Sequence, residues 1–424
     1  MSEQRHNVDF AVIGLGYVGL PLAQAACAKG LSGLGLDVSQ RVVGSLNRGE
    51  SHVDDLSDDD VATMLGQGFR ATTDEAELGR ARVIVICVPT PLAQEGAPDL
   101  GAVQAAAEAV SRHVSPDTLV ILESTTWPGT TDEVLVPILE RSGLSVGKNL
   151  HVAFSPERID PGNSSYGIVN TPKVVGGVNE SSRDRAVRFY EQFIDHLVLA
   201  SGTREAEMAK LLENTYRQVN IALVNEMAKF SHDLGIDFWN VIDCAASKPF
   251  GFQAFYPGPG VGGHCIPIDP GYLSHRVQAQ LGYPFRFVEL SQEVNRSMPK
   301  YVADRAWRRL NDEGKAMSGA RVLILGVTYK AGIADQRESP ATPLAIELLR
   351  LGADLSFYDP YVKKWEVHGR TFERVEDLDE AASAADLVIH LQPHADYDDE
   401  RLGLSGVPVL DTRGMLSGPT VERL

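Results

Sequence analysis

The segment VDFAVIGLGYVGLPLAQAACAKG (residues 8–30) decides the fold of the first part of the chain. Residues 8–13 are mostly apolar and β-branched, which is typical of a buried parallel strand. The glycine-rich segment at residues 14–19 then leads into Leu20–Lys29, an Ala- and Leu-rich helical pattern with a glycine stop at Gly30. The pattern predicts a strand, a tight turn and a helix, which together open a β-α-β unit.

The glycine spacing G-x-G-x-x-G suits the binding of a dinucleotide. The first glycine permits the turn, the second lets the backbone approach a pyrophosphate, and the third lets the helix pack on the strand. The next predicted strand ends at Asp37, where an acid accepts hydrogen bonds from a ribose diol and repels a 2′-phosphate. We therefore predict a site for NAD rather than NADP; Arg41 could lie near the adenine or be a solvated surface residue. The residues assigned here to the cofactor are Gly14, Gly16, Tyr17, Val18, Gly19, Asp37 and Arg41.

Polar residues follow three further predicted strands. These strands are Arg82–Val88, Thr118–Leu122 and Leu150–Phe154. Ligands of doubly wound sheets lie beyond the carboxyl ends of the strands, so we expect Pro89, Thr90 and Thr125 beside the cofactor. Glu157 could act as a general base and Arg158 could hold a phosphate or a carboxylate, or this segment could form an ion pair at a domain edge.

The middle of the chain has a different pattern. A helical pattern without a turn signal runs from about Arg204 to Leu234, much longer than the mean helix of about 11–12 residues. A second helical stretch is predicted from about Tyr272 to Leu310, and the Gly- and Pro-rich segment 250–270 between them is predicted to be irregular. This glycine-rich loop carries Cys265 beside His264. A nucleophilic thiol needs partial exposure and a neighbour that favours the thiolate, and a thiol on such a loop next to a histidine could have both.

Two residues of the long helix share one face. Lys210 and Asn214 are four positions apart, so an ammonium and an amide could together stabilise an alkoxide and hold a water molecule. Charged residues at this spacing are also typical of a solvated face. The helix pattern alone leaves both interpretations open.

The last third begins a second β-α-β pattern. A strand at Arg321–Leu325 precedes a helix for which Ser339 is the predicted N-cap and Pro340 the first residue. This repeat lacks the full glycine set, so we expect it to bind a different ligand. Lys330 and Arg337 follow the first strand, where cations meet a diphosphate, although a salt-bridged loop is the alternative. The sequence predicts an α/β protein with two Rossmann-like doubly wound domains, joined by a long central helix and a helical middle domain, with the boundaries 1–203, 204–315 and 316–424.

Composition excludes several classes of function. The 424 residues include 39 Lys and Arg against 57 Asp and Glu, a formal net charge of −18, which disfavours nucleic acid and anionic membranes as partners. No apolar run approaches the roughly 20 residues of a membrane span. Four cysteines without C-x-x-C spacing and scattered histidines predict neither disulfides nor a metal site. We expect a soluble cytoplasmic protein with reduced thiols.

Taken together, the motifs resemble one family across nearly the whole chain, the nucleotide-diphosphate-sugar 6-dehydrogenases, which act on UDP-glucose and UDP-N-acetylhexosamines. The helix with Lys210 and Asn214 belongs to this resemblance. The matching segments are G-L-G-Y-V-G-L-P-L-A (residues 14–23), V-P-T-P (88–91), E-S-T-T-W-P-G-T-T (123–131), S-P-E-R (155–158), P-G-P-G-V-G-G-H-C-I-P-I-D-P (257–270) and Y-K-x-x-x-x-D-x-R-E-S-P (329–340).

The resemblance implies a four-electron oxidation that uses two NAD in succession. Cys265 would capture the aldehyde as a thiohemiacetal, which becomes a thioester that water hydrolyses. Lys210 would stabilise oxyanions and Asn214 would help to hold the water, with Asp269 as a general base. Thr125 and Glu157 would order water or substrate, and Arg337 is expected at the cofactor. The residues expected to bind substrate are Glu157, Arg158, Lys210, Asn214, Arg217, Phe255, Tyr256, Gly260, Tyr329 and Lys330.

Two departures from the glucose-type pattern bear on the substrate. Ile268 replaces the lysine of that type, and residues 248–252 lack its arginine, which reaches a neighbouring subunit. Both features, with S-P-E-R-I-D-P-G-N from Ser155, resemble the N-acetylhexosamine branch, especially UDP-N-acetylglucosamine 6-dehydrogenase. UDP- or dTDP-glucose remains an alternative substrate.

A two-electron 3-hydroxyacid dehydrogenase and a non-catalytic nucleotide-sugar or NAD sensor are the rival functions. A homodimer through the central helix is expected.

Overall fold

The computed structural model describes residues 6–53, 55–93, 97–159, 163, 165–263, 266–403 and 406–424. The strands in these residues are β1 (Val8–Ile13), β2 (Gly33–Leu36), β3 (Arg70–Thr72), β4 (Ala81–Ile86), β5 (Leu119–Leu122), β6 (His151–Phe154), β7 (Lys173–Gly177), β8 (Leu197–Leu199), β9 (Arg321–Leu325), β10 (Asp354–Tyr358), β11 (Lys364–Val367), β12 (Arg370–Glu373), β13 (Leu387–His390), β14 (Val409–Asp411) and β15 (Val421–Arg423).

The α-helices are α1 (Gly19–Cys27), α2 (Gln40–Asn47), α3 (Asp58–Gly66), α4 (Gly101–His113), α5 (Val136–Leu139), α6 (Glu180–Tyr190), α7 (Thr203–Asp233), α8 (Phe238–Ala246), α9 (Asp269–Leu281), α10 (Arg286–Asp312), α11 (Ala341–Arg350), α12 (Leu378–Ala384) and α13 (Asp399–Gly403). A π-helical turn, Thr131–Leu135, leads into α5, and 3₁₀ turns cover Glu75–Arg80 and Glu140–Ser142. None of the helices in the described residues combines the length and hydropathy that a membrane span requires.

Residues 1–213 and 271–282 form one compact unit, built on an eight-stranded sheet of order β3-β2-β1-β4-β5-β6-β7-β8. The strands pair in parallel except for β6 with β7. The order reverses beside β1, where β4 takes the other side, and this is the crevice in which doubly wound sheets bind ligands. The paired ends Ile13, Ile86 and Leu122 therefore place the segments that follow β1, β4 and β5 at one edge.

The continuous apolar pattern of β1 reflects burial on both faces of this sheet. Phe10 and Val12 belong to one buried cluster, whereas Ala11 and Ile13 belong to another. Successive residues of a strand point to opposite faces, so helices on both sides leave little room for polar residues in the central strands.

Residues 214–270 and 283–424 form a second compact unit, with a five-stranded parallel sheet of order β10-β9-β13-β14-β15. This order is the other common doubly wound arrangement, and it reverses beside β9. Met298 and Val302 of α10 belong to the same buried cluster as Val322 and Ile324 of β9. The second predicted β-α-β domain is thereby confirmed, and β11 and β12 add an antiparallel hairpin.

The helices of the middle segment differ in part from the prediction. The long helix is confirmed as α7, but the stretch predicted from Tyr272 to Leu310 is two helices. The helical conformation is interrupted between α9 and α10, because Gly282 has a φ of 76° and Pro284 follows it two residues later. At α11 the prediction was wrong by one residue: Pro340 is the N-cap, and the Ser339 hydroxyl accepts a hydrogen bond from Ala341 N at 3.3 Å.

Candidate functional site

The three glycines after β1 have different surroundings. Gly14 has a φ of 91°, and a Cβ on it would lie 2.5 Å from the Cys87 carbonyl oxygen. A Cβ on Gly19 would lie 2.0 Å from Gly14 O. At Gly16, by contrast, a Cβ would meet nothing within 4 Å. The first and third glycines are thus required by backbone packing, while the second faces open space that fits a pyrophosphate.

Asp37, directly after β2, is fixed by two backbone groups. Its Oδ2 accepts a hydrogen bond from Leu15 N at 3.0 Å, and its Oδ1 accepts one from Ser39 N at 2.8 Å. Each carboxylate oxygen can accept more than one hydrogen bond, so both can still accept ribose hydroxyls. Arg41 is exposed on α2 and forms no ion pair with a described residue, so its role at the adenine stays a prediction.

The segments after β4 and β5 are joined by side-chain hydrogen bonds. The Thr90 hydroxyl donates to the Thr125 carbonyl oxygen at 2.8 Å, and the Ser124 hydroxyl donates to Val88 O at 2.7 Å. The structure therefore brings Thr90 and Thr125 together, as predicted, with Pro89 in the same segment. Thr125 is half-buried at this edge of the sheet.

A buried charged group lies directly behind this edge and was not found from the sequence. Glu123 is 1% exposed; its Oε1 lies 3.1 Å from Lys173 Nζ and accepts a hydrogen bond from the Tyr190 hydroxyl. Burial raises the pKa of Glu123 and that of Tyr190. The sequence placed Glu123 after a buried strand and at the start of a family motif, but it gave no signal of its partners, because Lys173 and Tyr190 are distant in sequence.

Glu157 and Arg158, after β6, have separate partners. Glu157 Oε1 accepts hydrogen bonds from Arg158 N at 2.7 Å and Ile159 N at 2.5 Å, while its buried Oε2 has no partner among the described residues. Arg158 pairs with Glu213 at 2.8 Å and donates to Pro172 O at 2.5 Å. The ion-pair alternative thus holds for Arg158, and its contact with substrate stays a prediction.

The amino-terminal part of α7 carries a buried lysine. Lys210 is 8% exposed and forms no ion pair with a described residue. One turn earlier, Glu207 is fully buried and accepts hydrogen bonds from Gly129 N at 2.5 Å and Thr131 N at 2.8 Å. Burial raises the pKa of Glu207 to about 7. Because Lys210 is buried, the solvated-face interpretation of this residue was wrong. A buried ammonium group with no carboxylate partner among the described residues favours the binding of an anion.

In the second unit, α7 holds the glycine-rich loop at three points. Asn214 Nδ2 donates to Asp269 Oδ2 at 2.6 Å, Gln218 Nε2 donates to Ile266 O at 3.2 Å, and Gly258 N donates to Asn225 Oδ1 at 2.8 Å. The three α7 residues share one helix face. Asn214 and Asp269 are therefore brought together as expected. Cys265 and the adjacent His264 lie outside the described residues.

Four other predicted substrate residues lie in the second unit. Arg217 is exposed on α7, and Gly260 has a φ of 134° beside Asn295 O. Phe255 packs edge-on against Tyr216, with ring centroids 5.8 Å apart. Tyr256 is half-exposed and stacks on a tryptophan ring, Trp239, at 5.7 Å. Their contacts with substrate stay predictions.

The loop after β9 packs on the glycine-rich loop within this unit. A Cβ on Gly263 would lie 2.6 Å from the Tyr329 ring, and Gly263 N donates to Arg337 O at 3.2 Å. Arg337 forms an ion pair with Asp335 at 2.6 Å, as in the salt-bridged alternative. The predicted motifs around Gly263 and around Tyr329 are more than 60 residues apart in the sequence. The structure brings these two motifs into contact.

Comparison with known proteins agrees with this arrangement. Models of the UDP-glucose/GDP-mannose dehydrogenase family match residues 8–194 (NAD binding domain), 204–297 (central domain) and 323–418 (UDP binding domain). The chain is 34% identical to a UDP-N-acetyl-D-mannosamine dehydrogenase of Methanocaldococcus jannaschii, covering 97% of this chain and 93% of the relative. It is also 34% identical to an NDP-N-acetyl-D-galactosaminuronic acid dehydrogenase of Ralstonia solanacearum, covering 97% of each.

A solved structure is similar over the whole fold. The UDP-N-acetyl-D-mannosamine dehydrogenase structure from Pyrococcus horikoshii superposes with a TM-score of 0.88 at 31% identity, covering 98% of each chain. These similarities confirm the resemblance predicted from the motifs and favour its N-acetylhexosamine branch.

Proposed function

Because the chain belongs to the UDP-glucose/GDP-mannose dehydrogenase family, whose amino-terminal domain binds NAD, we propose that it oxidises the C6 hydroxymethyl group of a UDP-N-acetylhexosamine to a carboxylate. The observation that carries the proposal is the hydrogen bond between Asn214 and Asp269, which joins two expected catalytic residues from distant segments. Relatives named for N-acetylated hexosamines support the substrate class.

Bound NAD would accept a hydride in each of the two oxidations. The residues that fit it are the open backbone at Gly16 and the carboxylate of Asp37. Lys210, buried without a described carboxylate partner, would stabilise the negative charge on the sugar oxygen as it develops. Asp269 would take a proton, and Asn214 would orient both Asp269 and the attacking water.

Between the two oxidations the Cys265 thiolate would add to the aldehyde carbon and form a C–S bond. The second oxidation would leave a thioester. Water would then attack its carbonyl carbon, the C–S bond would break, the thiolate would leave, and the sugar carboxylate would be released. Cys265→Ser should therefore stop the formation of acid while leaving NAD binding unchanged; acid formation at the wild-type rate would contradict this role.

The substrate is tested with a panel of sugars. We expect higher kcat/KM with UDP-N-acetylmannosamine, UDP-N-acetylglucosamine or UDP-N-acetylgalactosamine than with UDP-glucose or dTDP-glucose, measured as NADH formed. The departure at Ile268 and the names of the relatives support this order. A preference for either glucose derivative would overturn the substrate class, and tight binding without NADH from any sugar would favour the sensor.

A homodimer through α7 is the second part of the proposal. Five apolar residues on one face of this helix are exposed, while the opposite face carries buried polar residues such as Glu207 and Gln218. An exposed apolar stripe of this kind is typical of a surface that binds protein. The exposed residues are Met208, Leu212, Tyr216, Leu223 and Phe230.

The domain boundaries 1–203, 204–315 and 316–424 also belong to the proposal. They are supported by the three successive segments that match the family models. The prediction of a cytoplasmic protein stays a prediction and rests on the small number of cysteines.

A further inference from the structure

The second unit retains an acidic residue where the first unit has Asp37. Asp359 directly follows β10, and its Oδ2 accepts a hydrogen bond from Val327 N at 2.8 Å. Its Oδ1 accepts one from Tyr361 N at 2.9 Å. The glycine before Val327, Gly326, has a φ of 81°. Turn, acid and backbone contacts thus repeat those of the first unit, in which the acid is expected to bind a ribose.

A histidine occupies the side of Asp359 that a ribose would need. His394 follows β13, and its Nε2 lies 3.2 Å from Asp359 Oδ2 and 3.2 Å from Thr328 Oγ1. Asp359 is fully buried and His394 is 2% exposed. A dinucleotide cannot reach this carboxylate unless the histidine leaves, so the second unit is closed to the ligand of the first.

The same histidine fixes the loop after β9. Gly332 N donates to His394 Nδ1 at 3.1 Å, so Nδ1 must be an unprotonated acceptor and Nε2 carries the proton. The Thr328 hydroxyl donates to Lys330 O at 2.8 Å and can accept from that Nε2–H. His394 therefore holds the loop on both sides of Tyr329 and Lys330, as a neutral imidazole.

We propose that His394 is a positioning residue for the nucleotide sugar: beside Asp359 it fills the position that corresponds to the expected ribose position beside Asp37, and it fixes the loop that presents Tyr329 and Lys330. This inference rests on the proposed function and on the expectation, from the family resemblance, that those two residues contact the substrate. Neutral His394 is required because a second proton, on Nδ1, would point at the Gly332 N–H and break that contact.

The groups around His394 determine what protonation would do. Asp359 is its charged neighbour; burial alone would raise the pKa of this carboxyl, but the contacts with His394 lower it. The rings of Tyr361 and Tyr397 lie 5.1 and 5.5 Å from the imidazole. Tyr361 also holds Asp396 through its hydroxyl at 3.0 Å. Arg374 donates to Asp359 O at 3.2 Å. A second proton on His394 would preserve the contact with Asp359 and break the hydrogen bond from Gly332 N.

Two substitutions separate the contacts of His394. His394→Asn places an amide oxygen near the position of Nδ1, which keeps an acceptor for Gly332 and removes the contact with Asp359. His394→Gln places an amide nitrogen near Nε2, which keeps the contact with Asp359 and leaves Gly332 N unpaired. Neither side chain titrates, and Tyr361→Phe, which removes only the bond to Asp396, is the control.

The experiment measures equilibrium binding of UDP and of NAD, and KM and kcat for the nucleotide sugar, in wild type and in each variant. We expect both His394 variants to bind UDP about tenfold more weakly, as the loss of one buried hydrogen bond implies. NAD binding should stay within about twofold of wild type, because the residues expected to bind NAD lie in the first unit and His394 lies in the second. KM for the sugar should rise in both variants by more than kcat falls, because a positioning residue acts on binding.

Unchanged UDP binding in both variants would overturn the role of His394. Equal weakening of UDP and NAD, or a fall in kcat with KM unchanged, would also overturn it. Failure of the wild-type protein itself to bind UDP would instead contradict the proposed function, so the two failures are distinguishable.

Discussion

Replacing Glu207 by glutamine tests whether one buried carboxylate holds the turn that follows the cofactor segment at Thr125. Glu207 is fully buried, and it accepts hydrogen bonds from Gly129 N and from both the N–H and the hydroxyl of Thr131, at 2.5, 2.8 and 2.7 Å. Glutamine keeps the size but turns an NH₂ group toward a backbone N–H. An unpaired buried donor costs about 1–3 kcal/mol, which lowers the Tm of a unit of this size by roughly 3–10 °C.

The same substitution should change the dependence of stability on pH. Burial raises the pKa of Glu207 from an ordinary 4.5 to about 7. The folded protein therefore keeps a proton that the unfolded chain has lost, so the stability contributed by Glu207 is complete below about pH 4.5 and falls as the pH rises to about 7. At about 1.4 kcal/mol per pH unit, the advantage of wild type over Glu207→Gln should shrink by about 2–3 kcal/mol between about pH 5 and about pH 8.

Scanning calorimetry of wild type, Glu207→Gln and a matched control, Glu205→Gln, provides the assay. Glu205 is exposed on the same helix, so its substitution should leave Tm nearly unchanged at every pH. Equal Tm values for wild type and Glu207→Gln at pH 5, or a Tm difference that stays constant up to pH 8, would refute the reasoning.

Three further substitutions test separate parts of the account. Asp37→Ala should lower the preference for NAD over NADP by about tenfold or more, because the charge that repels a 2′-phosphate is lost; an unchanged ratio of kcat/KM for the two cofactors would remove Asp37 from the site. Lys210→Ala should lower kcat by roughly 10²–10³ and change KM for the sugar much less, because an oxyanion contact acts mainly in the transition state; a rise in KM alone would show a binding role only. Leu212→Glu should convert the expected dimer to a monomer in light scattering, whereas Met415→Glu, a control at an exposed residue that is not part of α7, should not; a dimer that survives Leu212→Glu would place the interface elsewhere.

Local patterns determined the parts of the fold that could be predicted. The strand, glycine turn and helix of residues 8–27 follow largely from steric rules within a few residues: Gly14 has a φ of 91°, and a Cβ on Gly19 would lie 2.0 Å from Gly14 O. The break at Gly282 was missed because apolar spacing continues in the helices on both sides of it. The periodicity of apolar residues does not reveal a short turn when the sequences on both sides of it have the same helical pattern.

Contacts between distant segments could not be predicted from composition or spacing. The ion pair of Glu123 with Lys173 and the pairing of Arg158 with Glu213 depend on which strands and helices become neighbours. The meeting of Asn214 and Asp269 was expected only from the family resemblance, since no local rule links a residue of α7 to the first turn of α9. His394 gave no signal because a single histidine after a strand has no characteristic spacing.

The central claim is that the protein oxidises the same sugar carbon twice, and the most direct measurement is the amount of NADH formed per UDP-N-acetylhexosamine consumed, with the product identified by mass. The account predicts two NADH for each sugar and a product that carries a 6-carboxylate. One NADH for each sugar, with the aldehyde as the final product, would contradict it.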